Sequence, residues 1–335
     1  MSNPVTLALP SKGAIADPTQ EFFKNSGMRV VKPNPRQYTG TIPSLPGVNV
    51  LFQRVKDVLY KVGDGTAQLG ITGYDLVCEY PNDDIVVIHE ALGYGHCELV
   101  VAVPESWVDV ENIYDLSEVA LHFRDNKGRN LRVATTYTHQ ARQFLHHHEI
   151  HHFSLVKADG AIEAAPTIGY ADIVIDLTQT GTTLRENHLK LIKGGSILSS
   201  QACLIGNKQA LLGDSKVLGV LKRMLEYIDA ATNAHGFIEV SANVQGEDAG
   251  SIAELIHVNP LTGGLQGPHI SQLYSQDKSI GYTVTVVVES RNLLNVIEHM
   301  RSIGGQQILV KPVQYIFLDK SQTYAKLLER LGLSD

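Results

Sequence analysis

Short apolar segments alternate with segments of helical spacing along the first two thirds of the chain, and this alternation limits the choice of fold most. The segments VTLALP, AQLGITG, LRVATTY and ADIVIDL have the length and apolar content of buried strands. The segments KDVLYKVGDG and THQARQFLHHHE have helical spacing, and the pattern is helical from about residue 208 to 234. Such alternation predicts an α/β fold with a mainly parallel sheet.

The pattern changes near His235, after which strands dominate. GFIEVSANVQ, YTVTVVVE and ILVKPVQYIF read as strands, while DAGSIAELIHV, NLLNVIEHMRSIGG and the terminal SQTYAKLLERLG read as helices. The β-α-β-β-α-β-like order predicts a small ferredoxin-like domain. A length of 335 residues is in keeping with two or three domains.

Charge and cysteine content exclude several classes of protein. The net charge of −7 argues against nucleic acid as a partner. Cys78, Cys97 and Cys203 are odd in number and widely spaced, which predicts reduced thiols rather than disulfides or a zinc ribbon. No apolar run approaches the roughly 20 residues that span a membrane. The N-terminus lacks the pattern of a targeting segment, so the expected location is the cytoplasm, or a plastid if a transit peptide was removed.

The stretch HHHEIHHF contains the zinc-protease pattern H-E-x-x-H in His148, Glu149 and His152. That pattern binds zinc only when both histidines lie one turn apart on a single helix. Here the predicted helix ends near Glu149, and IHHFSLV has the alternation of a strand. No third ligand is marked downstream. We therefore interpret the stretch as a solvated helix end rather than as a zinc site.

The segment ADIVIDLTQTGTTLRENHLKLI is the strongest candidate for chemistry. A buried strand ends at Asp176, and a threonine-rich loop leads into a predicted helix whose buried face would comprise Leu184, Leu191 and Ile192. N–H groups at a helix start, a flexible glycine and several hydroxyl groups suit a phosphate. A neighbouring carboxylate suits ribose hydroxyls or Mg²⁺. The pattern alone leaves open a simpler interpretation, a threonine N-cap on an ordinary helix.

The order of several segments resembles one family over nearly the whole chain. The segment GAIEAAPTIGYADIVIDLTQTGTTLRENHL is similar to the signature region of the ATP phosphoribosyltransferases, which open histidine biosynthesis. LALPSKG, FQRVKDV, QLGITGYD, ALGYGHCELVVAVP and LRVATTY agree with that family in the same order. GGLQGPHIS and GGQQILVKPVQYIF resemble the regulatory domain of its long form, and NPRQYTGTIPSL is most similar to the plant-type branch.

The chain departs from the expected patterns at four positions. Ile175 stands where the motif of common phosphoribosyltransferases has its first acid. Val55 replaces a proline, Ala14 stands where many members of the family carry arginine, and His269 stands where a threonine is usual. The change at Ala14 removes or replaces one phosphate contact, and the change at His269 predicts altered feedback.

The resemblance implies a fold and domain boundaries. It implies a two-lobed catalytic unit like a periplasmic binding protein, followed by a ferredoxin-like, ACT-like regulatory domain. Lobe one would comprise residues 1–103 and 195–234, lobe two residues 104–194, and the regulatory domain residues 235–335. The implied assembly is a homo-hexamer formed from dimers, and the implied feedback inhibitor is L-histidine.

The implied reaction joins N1 of ATP to C1 of phosphoribosyl diphosphate (PRPP) and releases diphosphate. Mg²⁺ is the expected cofactor, carried by the substrates rather than by a protein-only site. A non-catalytic two-lobed binding protein for a small molecule is the alternative. A short catalytic chain that needs a separate regulatory subunit is a further alternative, against which the extra ~100 residues argue.

The resemblance also assigns roles to individual residues. The predicted cradle for the 5-phosphate of PRPP is Thr178, Gln179, Thr180, Gly181, Thr182 and Thr183. The predicted partners of the other substrate groups are Asp176 and Glu163 for ribose or metal, Lys12 and Arg54 for diphosphate or triphosphate, and Thr72, Gly73 and Asp75 for ATP. The predicted effector segment is Gly267, Pro268 and His269. Simpler roles remain open for Glu163 as a helix cap, Arg54 as a surface ion pair and Asp75 as a turn residue.

Overall fold

The computed structural model describes residues 4–34, 36–158, 160–274 and 280–333. It divides into two compact units, of which the first comprises Met1–Lys222 with Leu327–Asp335 and the second Arg223–Lys326. No helix among the described residues is long and apolar enough to cross a membrane.

Strands and helices are interspersed along the first unit. Its elements up to residue 104 are β1 (Val5–Pro10), α1 (Ala16–Asn25), β2 (Thr39–Thr41), β3 (Val48–Gln53), α2 (Val55–Gly63), β4 (Leu69–Gly73), α3 (Tyr74–Glu79), β5 (Ile85–His89) and β6 (Cys97–Pro104). Those that follow are α4 (Ile113–Lys127), β7 (Leu131–Thr135), α5 (Thr138–His147), β8 (Phe153–Lys157), α6 (Ala165–Ile168), β9 (Ile173–Thr178), α7 (Thr182–Glu186), β10 (Leu189–Ser200), β11 (Ala202–Asn207), α8 (Lys208–Gly213) and α9 (Ser215–Ala234), which belongs to the second unit from Arg223 onward.

In the described part of the chain, two sheets form the first unit, one of six strands and one of five, and five strands of each follow the same order. The orders are β2-β3-β1-β4-β11-β5 and β10-β6-β9-β7-β8. In each sheet three neighbouring strands are parallel: β3, β1 and β4 in the first, and β8, β7 and β9 in the second. An antiparallel strand follows them, β11 in the first and β6 in the second. We call the two sheets, each with its helices, lobe one and lobe two. The predicted α/β fold and the two-lobed arrangement like a periplasmic binding protein are confirmed.

The antiparallel strands are exchanged between the two halves of the sequence. β6 follows the elements of lobe one but pairs in lobe two, and β11 follows those of lobe two but pairs in lobe one. Residues 97–103 and 195–200, which we predicted to belong to lobe one, therefore pair in the second sheet. Hydrophobic periodicity identifies a strand but not its partner, which explains the difference. We propose that the lobes change at residues 90–96 and at residue 201.

β6 shows why such a strand reads as a continuous apolar run. Leu99, Val101 and Val103 are buried in one cluster of apolar side chains. Val100 and Ala102, which point to the other face, are buried in a second cluster. A strand covered on both faces has no polar side to display, so its sequence does not alternate.

The region after the threonine loop differs from the prediction. A helix was expected across TTLRENHLKLI, but α7 ends at Glu186, and the strand β10 begins at Leu189. His188 has a φ of 55°, which breaks the helix, and Leu189 pairs with Pro104 of β6. The shared helical face predicted for Leu184, Leu191 and Ile192 is therefore wrong, and Leu191 is 50% exposed. Pairing with a distant strand overrides the local spacing here.

The second unit is a four-stranded antiparallel sheet with helices. Its elements after α9 are β12 (Phe237–Gln245), α10 (Ala249–His257), β13 (His269–Tyr274), β14 (Ile280–Glu289), α11 (Leu293–Ser302) and β15 (Gln306–Pro312). α12 (Gln322–Leu331) follows and belongs to the first unit from Leu327 onward. The strand order β13-β14-β12-β15 and the order of elements along the chain confirm the predicted ferredoxin-like fold. Val240, Ala242 and Val244 alternate along β12 and are buried with Ile252 and Met300 of the helices.

Candidate active site between the two lobes

A cavity of about 390 Å³ lies at the junction of the two lobes. Its lining residues before β6 are Ala14, Ile15, Val55, Gly73, Asp75, Leu76 and Gly95. Those of the second sheet and its loops are Cys97, Tyr137, Leu177, Thr178 and Gln179. Many of them follow the carboxyl ends of parallel strands, which is where open α/β sheets bind ligands.

Asp75 lies at the centre of this junction and is only 6% exposed. Its Oδ2 accepts a hydrogen bond from Tyr137 Oη at 2.7 Å, and its Oδ1 accepts one from Ser200 Oγ at 2.8 Å. Burial, together with the Asp75 carboxylate, raises the pKa of the Tyr137 phenol, so this hydroxyl remains a protonated donor. The carboxylate thus joins lobe one to lobe two and faces the cavity.

Gly73 and Thr72 support Asp75 in different ways. Gly73 lines the cavity, and a Cβ at this position would collide with the Asp75 carboxylate. Thr72 is fully buried, and its hydroxyl donates to the carbonyl oxygen of Val55 at 3.0 Å. Thr72 is not among the cavity-lining residues, and its hydrogen bond links β4 to the start of α2.

Lys12 and Arg54 follow two adjacent parallel strands at the same edge of the sheet. Pro10 of β1 lies opposite Gln53 of β3, and Lys12 and Arg54 come two and one residues later. Both cations are exposed, and neither forms an ion pair with another residue that the structure describes. They do not line the cavity themselves, although Ala14 and Val55 close to them do.

The threonine loop has a compact, internally bonded shape. Thr178 Oγ1 accepts a hydrogen bond from the N–H of Gly181 at 2.8 Å, and Gly181 has a φ of 72°. The hydroxyls of Thr180 and Thr182 lie 2.9 Å apart. Thr178 and Gln179 line the cavity, while Thr180, Thr182 and Thr183 are exposed beside it. α7 has only five residues, so the hydrogen-bond donors that this loop offers are its hydroxyl and N–H groups rather than the dipole of a long helix.

The carboxyl group of Asp176, near the end of β9, has a shifted pKa. Burial raises the pKa of its carboxyl to about 6, the Leu177 N–H opposes that shift, and the negative charge of Glu163 adds to it. Glu163 lies in a short 3₁₀ turn, Ile162–Ala164, where no side chain caps the turn. Two nearby carboxylates suit a hard cation or sugar hydroxyls.

The carboxylates at Asp176 and Glu163 do not form a complete metal site by themselves. Within the described residues, no group of three or more His, Cys, Asp or Glu side chains could hold a metal ion. A Mg²⁺ ion bound here would therefore take its other oxygen ligands from substrate and water.

Several residues at the lobe junction were not singled out from the sequence. Tyr137 follows the end of β7, so the rule that strand ends carry function would have indicated it. Ser200 and Cys97 meet Asp75 only through pairing of β6 with β10, and nothing local marks them. Glu79 of α3 accepts hydrogen bonds from the N–H groups of His139 and Gln140, and this contact across the lobes has no local signal either.

The predicted effector segment lies in the second unit, before and at the start of β13. Gly267 has a φ of 109°, which favours glycine, and His269 is the first residue of β13 and is exposed. His269 lies opposite Thr285 of β14.

Two lobes that share the order of five strands and line one cavity define a two-lobed α/β unit for small-molecule substrates. The family model described as "HisG: ATP phosphoribosyltransferase" matches residues 54–228, and the model "HisG, C-terminal domain" matches residues 234–315. The chain belongs to the ATP phosphoribosyltransferase family, a family of transferases. The function predicted from the sequence, phosphoribosyl transfer in histidine biosynthesis, is confirmed at this level.

Relatives from a plant and a bacterium cover nearly the whole chain. The chain is 40% identical to ATP phosphoribosyltransferase 2, chloroplastic, of Arabidopsis thaliana, over 98% of this chain and 81% of that protein. It is 32% identical to the ATP phosphoribosyltransferase of Bradyrhizobium sp. (strain ORS 278), over 98% of each.

One solved structure supports the two-lobed fold. The ATP phosphoribosyl transferase (HisG:HisZ) complex from Thermotoga maritima covers 67% of this chain and 98% of its own, with a TM-score of 0.52 and 21% identity. At that identity the similarity shows the fold alone.

Proposed function

We propose that the chain transfers the phosphoribosyl group of PRPP to N1 of ATP in the cavity between its lobes, with release of diphosphate. One observation carries the proposal: Thr178 and Gln179 of the threonine loop line the same cavity as Gly73 and Asp75 of the opposite lobe. A polyanionic donor and a nucleotide acceptor could therefore meet there in line, which is the main requirement of such a transfer.

We place PRPP on lobe two. The hydroxyls of the threonine loop, Thr178 through Thr183, and its N–H groups donate to the 5-phosphate. Gly181 permits the tight turn that presents these donors, because its φ of 72° is strained in other residues. Asp176 and Glu163 accept hydrogen bonds from the ribose hydroxyls or bind the metal. Their shared negative charge is the reason that a cation or a hydroxyl donor binds favourably beside them.

We place ATP on lobe one. Gly73 lets the ligand approach Asp75 closely, and Asp75 with Tyr137 forms the polar wall of the ATP side. Lys12 and Arg54 neutralise the diphosphate or triphosphate at the mouth of the cavity. Neither cation is engaged by a carboxylate among the described residues, so both are available for phosphate oxygens. Thr72 acts through Gly73 and Asp75 rather than by contact with substrate.

Mg²⁺ is the cofactor we propose, carried by the substrate phosphates and held by Asp176 and Glu163. Bound there, it would neutralise charge that builds up on the leaving diphosphate. The protein's own contribution is to hold both substrates in line, to donate hydrogen bonds to phosphate oxygens and to keep the ribose oriented.

The second unit is proposed to bind L-histidine as a feedback inhibitor through Gly267, Pro268 and His269. The match of residues 234–315 to the C-terminal domain of the family supports the long form, which is self-sufficient. A homo-hexamer formed from dimers is the proposed assembly. The expected location, cytoplasm or plastid, remains a prediction, and the Arabidopsis thaliana relatives are named chloroplastic.

The decisive experiment is an assay of phosphoribosyl-ATP and diphosphate formation from ATP and PRPP with Mg²⁺. We expect both products in equal amounts, and we expect L-histidine to reduce their rate. Binding of ATP without product would favour the non-catalytic binding protein and overturn the proposal. Product without inhibition would overturn the regulatory part alone.

A further inference from the structure

The turn between α5 and β8 brings together two imidazoles that the proposed reaction does not use. Nδ1 of His146 and Nδ1 of His151 lie 3.2 Å apart, and the two ring centroids are 5.4 Å apart. Both side chains are exposed, and neither lines the cavity between the lobes. The pair is a different one from the H-E-x-x-H histidines, His148 and His152.

The H-E-x-x-H histidines have other neighbours. His148 is the C-cap of α5, and its ring packs against Phe144 at a centroid distance of 4.5 Å. His152 Nε2 lies 2.9 Å from Nη1 of Arg124. α5 ends at His147 and β8 begins at Phe153, so the helix required for a zinc protease is absent from this stretch, as the sequence predicted.

Backbone hydrogen bonds fix the turn that carries the pair. The N–H of Glu149 donates to the carbonyl oxygen of His146 at 3.0 Å, and the N–H of Ile150 donates to that of Leu145 at 2.9 Å. The Ile150 side chain is buried, which anchors the turn to the core of lobe two. Glu149 has a φ of 59°, the left-handed conformation that closes a helix end. The backbone positions of His146 and His151 are therefore fixed by the turn, and only rotation of the two side chains is needed to bring both rings to one ion.

The spacing of the two nitrogens suits a shared metal ion. With an ion about 2.1 Å from each nitrogen, a usual metal–imidazole distance, the N–metal–N angle would be about 100°. That angle lies between those of octahedral and tetrahedral coordination. A direct hydrogen bond between the rings has the same spacing, and because both rings are exposed they can turn from one arrangement to the other.

We propose that His146 and His151 form a two-histidine site for a divalent transition-metal ion of the kind that imidazole prefers, namely Cu²⁺, Ni²⁺ or Zn²⁺. Among the described residues no third protein ligand completes the set, so water fills the other positions. The site excludes Mg²⁺, which prefers oxygen ligands, and is therefore separate from the metal that accompanies the substrates.

The test is a calorimetric titration of the full chain, without an added histidine tag, with Cu²⁺, Ni²⁺, Zn²⁺ and Mg²⁺. We expect one equivalent of each transition metal, with Cu²⁺ bound most tightly and Mg²⁺ not bound. Either His146→Ala or His151→Ala should weaken binding by about tenfold or more, since even outer partners of a metal ligand are worth about 10- to 100-fold. The control His147→Ala, an exposed histidine in the same run, should bind as the parent does.

Electron paramagnetic resonance of the Cu²⁺ complex reports how many imidazole nitrogens bind the ion, and it therefore tests His146 and His151 as ligands. We expect hyperfine structure from two imidazole nitrogens in the parent and in His147→Ala, and from fewer in the other two variants. All variants should retain phosphoribosyl-ATP formation, which verifies their fold. Equal loss of affinity in His147→Ala, or full affinity in the double variant of His146 and His151, would overturn the proposal and assign binding to the wider histidine run or to the thiols.

Discussion

Tyr137 of lobe two donates its hydroxyl to the Asp75 carboxylate of lobe one at 2.7 Å, with both side chains almost fully buried. The bond joins the lobes at the wall of the cavity. Because the pKa of the phenol is raised by burial and by Asp75, Tyr137 holds its proton at neutral pH. The contact therefore fixes the direction of the hydrogen bond and the position of the carboxylate that we place next to ATP.

The variant Tyr137→Phe keeps the ring and removes this donor. We expect the free energy of unfolding to fall by about 1.5–3 kcal/mol, the usual worth of a hydrogen bond to a charged group, and the KM for ATP to rise. Urea unfolding and steady-state kinetics measure the two effects. Tyr114→Phe, at a tyrosine that is 77% exposed, is the control and should change neither. An unchanged KM for ATP would contradict the role assigned to Asp75.

Protonation of Asp176 should govern the use of PRPP at low pH. Its pKa is about 6 in the folded protein, so a falling pH removes the charge that we pair with ribose hydroxyls or Mg²⁺. We expect kcat/KM for PRPP to fall below about pH 6 with one ionisation, which reports the free enzyme. In Asp176→Asn, kcat/KM for PRPP should be lower at all pH values, and its dependence on this ionisation should be lost. A parent-like profile in the variant would contradict the assignment.

The raised pKa of Asp176 should also make the stability of the protein depend on pH. Because the folded pKa of Asp176 is raised, its favourable contribution is present below the unfolded pKa near 4 and is lost as the pH rises through about 6. Relative to the parent, Asp176→Asn without substrate should therefore gain about 2 kcal/mol in free energy of unfolding between pH 4.5 and pH 8. Urea unfolding at both pH values measures this difference, and a constant difference would show that the carboxyl is not perturbed.

Glu79 is expected to set how the lobes meet. Its carboxylate, 4% exposed on α3, accepts hydrogen bonds from the His139 and Gln140 N–H groups at the start of α5. Glu79→Ala leaves those partly buried donors without this partner and should lower the free energy of unfolding by about 1–3 kcal/mol. Because it misaligns the two lobes, it should also raise the KM for both substrates.

The conservative variant separates these two effects of Glu79. Glu79→Gln retains an acceptor oxygen and should restore most of both losses. Glu118→Ala, at an exposed glutamate of α4, is the matched control. If Glu79→Ala alters stability but leaves both KM values unchanged, Glu79 has no part in aligning the lobes.

The hydroxyl of Thr178 is expected to maintain the conformation of the threonine loop. Thr178→Val keeps the shape of the side chain but removes the acceptor for the Gly181 N–H, which lies 2.8 Å away. We expect the KM for PRPP to rise about tenfold, equivalent to about one hydrogen bond, with little change in the KM for ATP. Thr178→Ser retains the oxygen and should behave as the parent. Equal effects on both substrates would count against a loop specific to PRPP.

His269 tests the regulatory proposal. If the threonine usual at this position binds the inhibitor, His269→Thr should lower the concentration of L-histidine for half-inhibition, by about tenfold for one added hydrogen bond. Activity without L-histidine should not change, because His269 is exposed in the second unit. Equal inhibition of the two proteins would remove the idea that His269 alters feedback.

Local sequence patterns correctly predicted many helices and strands. They failed where pairing with a distant strand determined the secondary structure. Val240, Ala242 and Val244 alternate, so their strand and its buried face follow from the sequence. Leu184, Leu191 and Ile192 have helical spacing, but Leu191 and Ile192 lie on β10, because that strand pairs with β6. The sequence contains the spacing but not the partner strand, and the partner determined the outcome.

The same limit applies to the site. Thr178 and Asp75 follow strand ends within recognisable motifs, and the structure places both at the cavity. Ser200 meets Asp75 across 125 positions of sequence, and Glu79 meets His139 across 60. These contacts form only when two lobes close on each other, so they leave no local trace in composition or spacing.

The exchange of β6 and β11 between the lobes also determines the order in which the protein can be completed during synthesis. β5 joins the first sheet through β11, which begins at Ala202, long after β5 ends at His89. At ordinary rates of translation, β5 waits roughly 10 s for its partner to leave the ribosome. In that interval Ile85–His89 has an open edge that a chaperone, or a neighbouring nascent chain, could occupy first.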